Sequence, residues 1–299
     1  MKVTVLICTY KRRQLLYNCL KSLIGGGEEL PDEIVIVDGE EGKVKNIVFE
    51  WQRKFSKIIL VPTKNMNLAA SRNTGLPFCS GDIIAFTDDD IKVRTDWIKK
   101  IRELHDRYPD AAAIGGKVQS LTDKFRDKIA DLVIFPAPEE AQRVTTLAAA
   151  NISYKKEIIG KVGPFDEELF RGEDVDYNWR VLKAGGYIQY EPELLVYHLH
   201  RNSWKGLLQQ LFMYGRAYYL VRKKWKDIYC VYPREWNTLK DVFKTVYFFC
   251  GIIYQALLDA RKAENIYFSI LAYPVLVLCQ VVWRWGMAYQ YLKTKFNKD

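Results

Sequence analysis

The first 110 residues switch repeatedly between two periodicities, and that alternation restricts the fold more than any other feature of this 299-residue chain. Short runs rich in β-branched residues predict strands: Val3–Cys8 (VTVLIC), Glu33–Asp38 (EIVIVD), Lys57–Val61 and Asp82–Thr87 (DIIAFT). Between them, helical spacing predicts Arg12–Ile24, with Leu16, Cys19, Leu20 and Leu23 on one face. Gly42–Phe55, Asn67–Leu76 and Thr95–Tyr108 follow as helices, the last capped by Thr95 or Asp96. Strands alternating with helices of this size imply an α/β domain with a mainly parallel sheet covered on both faces. Ligands of such sheets sit beyond the carboxyl ends of the strands. The informative residues are therefore the polar ones at strand ends: Thr9 and Tyr10, Asp38, and Asp88-Asp89-Asp90.

Residues 111–200 are more mixed. Ala112–Val118 and Leu147–Ser153 predict strands, and Glu173–Lys183 a helix ended by Gly185-Gly186. Tyr187–Tyr190 and Leu194–His200 predict two short strands, and a basic helical pattern runs from Trp204 to Lys226. The opening apolar run is too short for a secretory h-region and reads as a buried strand. The six cysteines (Cys8, Cys19, Cys79, Cys230, Cys250, Cys279) form no CxxC pair, which predicts free thiols in a reducing cytosol.

Four clusters offer chemistry. Asp88 and Asp90 are two apart after a strand, so in extended chain they point the same way and suit Mg²⁺ or Mn²⁺ held against a phosphate. An isolated DDD reads equally well as an acidic turn before the next helix. Gly172-Glu173-Asp174-Val175-Asp176 opens a helix; its carboxylates either favour the helix dipole or supply a general base at a pocket rim. His198 and His200 end a strand, where one of them can complete a metal site. Lys64–Gly75 is a small-residue segment carrying Arg72 and the asparagines Asn65, Asn67 and Asn73, able to approach a diphosphate closely.

In this order the clusters resemble the large family-2 glycosyltransferases, which have the nucleotide-sugar-binding GT-A fold; the resemblance covers roughly residues 1–225. It implies that Cys8–Arg12, with Thr9, Tyr10 and Arg12, makes the first nucleotide contact, and that Asp38 binds the base or ribose. Asn65–Gly75 matches the family's N-x-G-x-x-x-x-R-N-x-G segment, with Asn65, Arg72 and Asn73 in place and Asn67 standing where glycine is usual. Asp88 and Asp90 match the DxD metal motif, with Asp89 beside the donor and His198 as a third ligand. Glu173-Asp174 matches the ED motif, whose aspartate is the base. Trp179 and Arg180 follow as weaker acceptor candidates; a core role for Trp179 is the stronger reading. The Q-x-x-R-W signature of processive relatives is absent, which implies transfer of a single sugar.

Charge separates the chain into two parts. Residues 1–200 carry 29 Lys/Arg against 30 Asp/Glu, a net of −1; residues 201–299 carry 16 against 6, a net of +10. Hydrophobic runs lie beside that basic excess, Thr245–Leu258 (14 residues) and Ile266–Trp283 (18 residues), neither containing a charge. They favour an anionic membrane surface over nucleic acid as the partner. A spanning helix needs about 20 apolar residues, so both runs are borderline. They read as a hairpin in or through the bilayer, the alternative being a soluble helical subdomain or the interface of a homo-oligomer. The expected organisation is a GT-A catalytic domain over residues 1–215 and a basic, hydrophobic helical region over 216–299, on the cytoplasmic face of a membrane. The expected function is inverting transfer from a nucleotide-diphosphate sugar, by preference a UDP-sugar, to a hydroxyl of a lipid-linked or polysaccharide acceptor, with Mn²⁺ or Mg²⁺. The competing readings are a polyprenyl-phosphate glycosyl synthase on the same fold and a non-catalytic nucleotide-sugar-binding scaffold.

Overall fold

The computed structural model describes residues 1–228 and 238–296. The chain divides into two units, Met1–Leu121 with Ala137–Leu199, and Thr122–Pro136 with His200–Asp299.

In chain order the first unit runs β1 (Val3–Thr9), α1 (Arg13–Ile24), β2 (Glu33–Asp38), α2 (Lys45–Gln52), β3 (Ile58–Pro62), α3 (Leu68–Gly75), β4 (Ile83–Asp88), β5 (Ile91–Val93), α4 (Trp97–Arg107) and β6 (Ala113–Ser120). The chain then leaves for α5 (Phe125–Ile134) of the second unit. It returns through β7 (Gln142–Val144), β8 (Ile152–Lys155), α6 (Lys156–Val162), α7 (Glu173–Lys183) and β9 (Ile188–His198). The strands form one mixed sheet in the order β3-β2-β1-β4-β8-β6-β9-β5, with β7 also on β9. β1 is parallel to both β2 and β4, which places the ends of these three strands side by side: Thr9 opposite Asp38, and Cys8 opposite Asp88. Both sheet faces are covered, so these strands are apolar almost throughout. Helix α1 buries Leu16, Cys19, Leu20 and Leu23, the face expected from i, i+3, i+4, i+7 spacing. Gly75 lets α3 approach closely: a Cβ there would lie 2.5 Å from Leu6 and 2.7 Å from Val37.

Several elements differ from the sequence expectations. Helix α2 starts at Lys45, not Gly42, because Glu41 and Gly42 are left-handed (φ 57° and 91°). The Asp38 carboxylate holds this turn by accepting from the Glu40 and Val44 amides, at 2.9 and 3.2 Å. The expected strand Leu147–Ser153 is a strand only from Ile152. The preceding loop is pinned by buried Asn151, whose amide donates to the Lys117 and Leu194 carbonyls at 3.0 and 2.7 Å. The two expected strands at 187–200 are one strand, β9, which tolerates Pro192 because its pairing with β6 shifts register between Gly116 and Val118. Gly116 is required at this bulge, since a Cβ would sit 1.8 Å from the Leu194 carbonyl oxygen. The short elements β5, α5, β7 and α6 carry too little periodicity to stand out.

The second unit contains α5, α8 (Trp204–Lys224), α9 (Leu239–Arg261) and α10 (Ile266–Phe296). Ser203 and Thr238 cap α8 and α9 by accepting from Gly206 and Asp241. Its core joins Ile129 and Ala130 to Leu207, Leu211, Ala256, Ala272 and Leu276. Helices α8 and α10 touch backbone to backbone: a Cβ on Gly215 would lie 1.8 Å from the Trp283 carbonyl oxygen, and one on Gly286 2.1 Å from that of Phe212. By length and composition alone, α9 and α10 are each able to cross a membrane. The described cysteines are free thiols; Cys230 lies outside the described residues.

Candidate active site

The parallel strand ends bring the acidic cluster together: Asp88 ends β4, while Asp89 and Asp90 form the turn that follows, so the extended-chain alternation expected for the three stops at Asp88. Asp89 turns inward, 3% exposed, and its carboxylate accepts from Thr9 Oγ1 at 2.7 Å and Arg12 Nη1 at 3.0 Å. Burial outweighs the pull of Arg12 and raises its carboxyl to about 6. Arg12 Nη1 also reaches Asp90 Oδ2 at 2.8 Å, so one guanidinium fixes both Asp89 and Asp90.

His198 is carried to this cluster by antiparallel pairing of β5 with β9, in which Ile91 lies opposite His198 and the Leu199 amide donates to the Asp90 carbonyl at 3.0 Å. His198 Nε2 stands 3.4 Å from Asp90 Oδ1. That oxygen is buried and receives no hydrogen bond. Burial acts to raise the Asp90 carboxyl, but His198 and Arg12 hold it below the usual carboxylate range. His200 belongs to the second unit, where it meets Asp131 at 2.7 Å.

Arg72, on α3, lies beneath the cluster and is 4% exposed. It donates to Glu173 Oε1 at 2.5 Å, stands 3.7 Å from Asp88, and lies 5.5 Å from the centroid of the Phe165 ring. Burial penalises its charge, but Glu173 and Asp88 outweigh that and hold it firmly protonated. Glu173 is the first residue of α7, after left-handed Gly172 (φ 77°). Beside it, half-buried Asp174 accepts from the Ala149 and Val175 amides at 3.3 and 2.8 Å. Burial first, and Glu173 second, push the Asp174 carboxyl up to about 6. A carboxylate with that value is poised to take a proton near neutral pH.

The remaining candidates divide. Tyr10 and Asn65 are exposed at the strand-end rim. Asn73 grips the loop before α7, donating to Phe165 O and Glu167 and accepting from the Phe165 amide. Asn67 caps α3 by accepting from the Ala70 amide, which accounts for asparagine at a position where glycine is usual in the family. Asp38 is fully buried with both oxygens committed to its own turn. Arg180 binds Asp176 and the Val162 and Pro164 carbonyls, holding the α6–α7 connection. Trp179 is half-buried on α7, with Lys183 over its ring. Sequence reasoning missed the 146–151 loop, whose Ala149 amide steadies Asp174. A backbone donor leaves no mark in side-chain chemistry.

Among the described residues no three His, Cys, Asp or Glu side chains converge as ligands. The pair that does face, Asp90 Oδ1 and His198 Nε2, joins a hard oxygen without a donor to an imidazole. That set fits a divalent cation whose shell is completed by phosphate oxygens and water.

A mixed sheet sandwiched by helices, with acids gathered at its strand ends, defines a class, and comparison with known proteins places the chain in it. Residues 4–162, more than half of the chain, match the glycosyl transferase family 2 profile, and the protein belongs to that family. Over 156 residues it is 32% identical to a pre-mycofactocin glycosyltransferase of Mycobacterium tuberculosis; the alignment covers 49% of this chain and spans only 33% of that relative's length. It is 26% identical over 278 residues to a glucosyl-dolichyl phosphate glucuronosyltransferase of Haloferax volcanii, covering 81% of this chain and 88% of the relative. In fold it is similar to the mannosyltransferase PcManGT of Pyrobaculum calidifontis, solved with GDP-Man and Mn²⁺. The TM-score is 0.63 at 18% identity, covering 100% of this chain and 88% of the other. The fold is GT-A.

Proposed function

We propose that the chain transfers a single sugar, with inversion, from a nucleotide-diphosphate sugar, by preference a UDP-sugar, to a hydroxyl of a membrane-linked glycan. The observation that carries this reading is Asp174, its carboxyl raised to about 6 and its orientation fixed by two amides, on the same α7 terminus as the Glu173–Arg72 pair. In this role Asp174 takes the proton of the acceptor hydroxyl as it attacks opposite the leaving diphosphate, which inverts the anomeric carbon. Arg12 and Arg72 contribute fixed positive charge beside the strand ends where the diphosphate sits. Asp90 and His198, with Asp88, are the residues to hold a divalent cation such as Mn²⁺ or Mg²⁺, whose chemistry is Lewis-acid stabilisation of the leaving diphosphate. The GDP-Man and Mn²⁺ bound to the similar mannosyltransferase support a nucleotide-diphosphate sugar and a divalent metal.

The acceptor class rests on two supports. The Haloferax relative, matched over 88% of its length, is named for a dolichyl-phosphate-linked sugar. The second is the helical unit, whose α9 and α10 expose Phe243, Tyr247 and Tyr267 at 71–78%. Apolar and aromatic residues beside a net charge of +10 over residues 201–299 favour an acidic bilayer. We place the enzyme on the cytoplasmic face of that bilayer.

The test is release of nucleoside diphosphate by the purified chain in detergent with Mn²⁺, across a panel of nucleotide sugars, with and without lipid extract. Release with one donor, raised by extract and lost in Asp90→Ala, is expected. Equal release with a bare polyprenyl phosphate would favour a lipid-phosphate acceptor, and no nucleotide binding at all would overturn the catalytic reading.

A further inference from the structure

We infer that the second unit is monotopic: an acidic bilayer covers the exposed face of α9 and α10, and neither helix carries the chain across. This rests on the membrane reading above and goes further, to topology. The exposed apolar residues recur at helical spacing along both helices, Phe243, Tyr247 and Tyr254 on α9, Tyr267, Leu271 and Trp285 on α10. Such a face fits either a crossing hairpin or one lying in the interface plane, and three further observations choose between them.

The first is the hairpin turn. Glu264 in the turn pairs with Lys128 of α5 at 2.8 Å, and Phe268 at the start of α10 lies 5.1 Å from Phe125. Helix α5 has ten residues and is joined at both ends, after Leu121 and before Ala137, to the strands of the first unit. Ten residues cannot cross a bilayer. The turn therefore lies on the same side of the membrane as α5 and the chain that enters and leaves it.

The second is α8. Phe125 lies near Trp204 as well as Phe268, and Tyr219 near Tyr291, so α8 runs alongside α10 from one end to the other. Gly215 and Gly286 bring the two backbones into contact. A crossing α10 would draw α8 in with it, and with it Gln209, Gln210, Arg216 and Arg222. The two arginine charges at membrane depth are costly, and the two polar amides add to that cost.

The third is the charge at the end away from the turn. Arg222, Lys223 and Lys224 close α8, Lys240 and Lys244 open α9, and Lys293 and Lys295 close α10. In a crossing bundle this group would be translocated while the turn stayed behind, against the positive-inside tendency. Lying flat, the same cations meet acidic headgroups on the side they start from.

The test is cysteine labelling with a membrane-impermeant maleimide. Lys262→Cys in the turn and Lys293→Cys at the far end, both exposed positions, are made separately in a Cys230→Ser, Cys250→Ser background. Inverted membrane vesicles from expressing cells are then labelled with and without detergent, and flotation through a density gradient records membrane attachment. Flotation with both positions labelled to within about twofold of the detergent value is expected. Flotation with one position protected until detergent is added means the bundle crosses, which overturns monotopy and leaves the membrane reading intact. No flotation overturns both.

Discussion

Arg72 and Glu173, 101 residues apart in the chain, pair at 2.5 Å with their side chains only 4% and 7% exposed. The contact clamps α3 to the start of α7 and so sets the angle at which Asp174 is presented. Removing one partner of a buried pair leaves the other as an uncompensated charge, typically costing about 3–5 kcal/mol. Arg72→Ala is therefore expected to lower the urea midpoint of the purified protein sharply. Arg72→Lys keeps the charge but not the planar fork and is expected to fall between wild type and Arg72→Ala. An Arg72→Ala midpoint equal to wild type would remove this clamp from the account.

Asp174 gives the reaction its pH dependence. Its carboxyl, raised to about 6 by burial and by Glu173, acts as base only when deprotonated. The transfer rate is expected to rise as pH passes through about 6 and to level off above it. Asp174→Asn is expected to lose on the order of 10²–10⁴ in rate, with nucleotide affinity by calorimetry nearly unchanged. Glu173→Gln removes a charge that raises Asp174, so its acid limb moves to lower pH. A limb that stays put in Glu173→Gln argues that another group titrates.

How much of this was legible beforehand depends on the range of the forces involved. The face of α1 through Leu16, Cys19, Leu20 and Leu23 follows from local periodicity and is found buried as expected. The turn at Asp89-Asp90 is not legible in the same way: one Arg12 nitrogen holds both carboxylates, which extended chain would have set on opposite faces. Other features depend on what the chain meets far away. Asn151 is fixed by carbonyls at 117 and 194, and His198 is brought to Asp90 by strand pairing over more than a hundred residues. Asp38 shows the range most clearly: a strand-end aspartate reads as a ligand contact, and the fold adds that each of its oxygens also accepts an amide of the turn that launches α2. Sequence states that an acid stands at a strand end; only the fold states which hydrogen bonds it has already made.

Two glycines test the helical unit in opposite directions. Gly286 has the Phe212 carbonyl oxygen 2.1 Å from where a Cβ would stand, so Gly286→Ala forces α8 and α10 apart. The cost expected from such overpacking is about 1–3 kcal/mol, seen as a lower unfolding temperature in detergent. Gly251 sits inside α9 with nothing within 4 Å of a Cβ. Gly251→Ala is expected to raise that temperature, by about 0.4–1 kcal/mol of stability. Equal effects of the two substitutions would show that the α8–α10 contact is looser than described.

Adjacent aspartates are expected to fail in different ways. Asp90 offers a buried oxygen without a hydrogen bond, 3.4 Å from His198 Nε2, whereas Asp89 is consumed by Thr9 and Arg12. Asp90→Asn and His198→Gln are each expected to weaken nucleotide binding in the presence of Mn²⁺ while changing it little in its absence. If both residues serve one cation, the double variant loses less than the sum of the single losses, since the second change removes a ligand from a site already broken. Asp89→Asn is expected to act mainly on stability, because buried Thr9 and partly exposed Arg12 lose their anionic acceptor, a loss of about 1–3 kcal/mol. Calorimetric titration of nucleotide with and without Mn²⁺, beside urea unfolding of the same variants, separates the two effects. Strict additivity of Asp90→Asn and His198→Gln would mean that they do not share a metal.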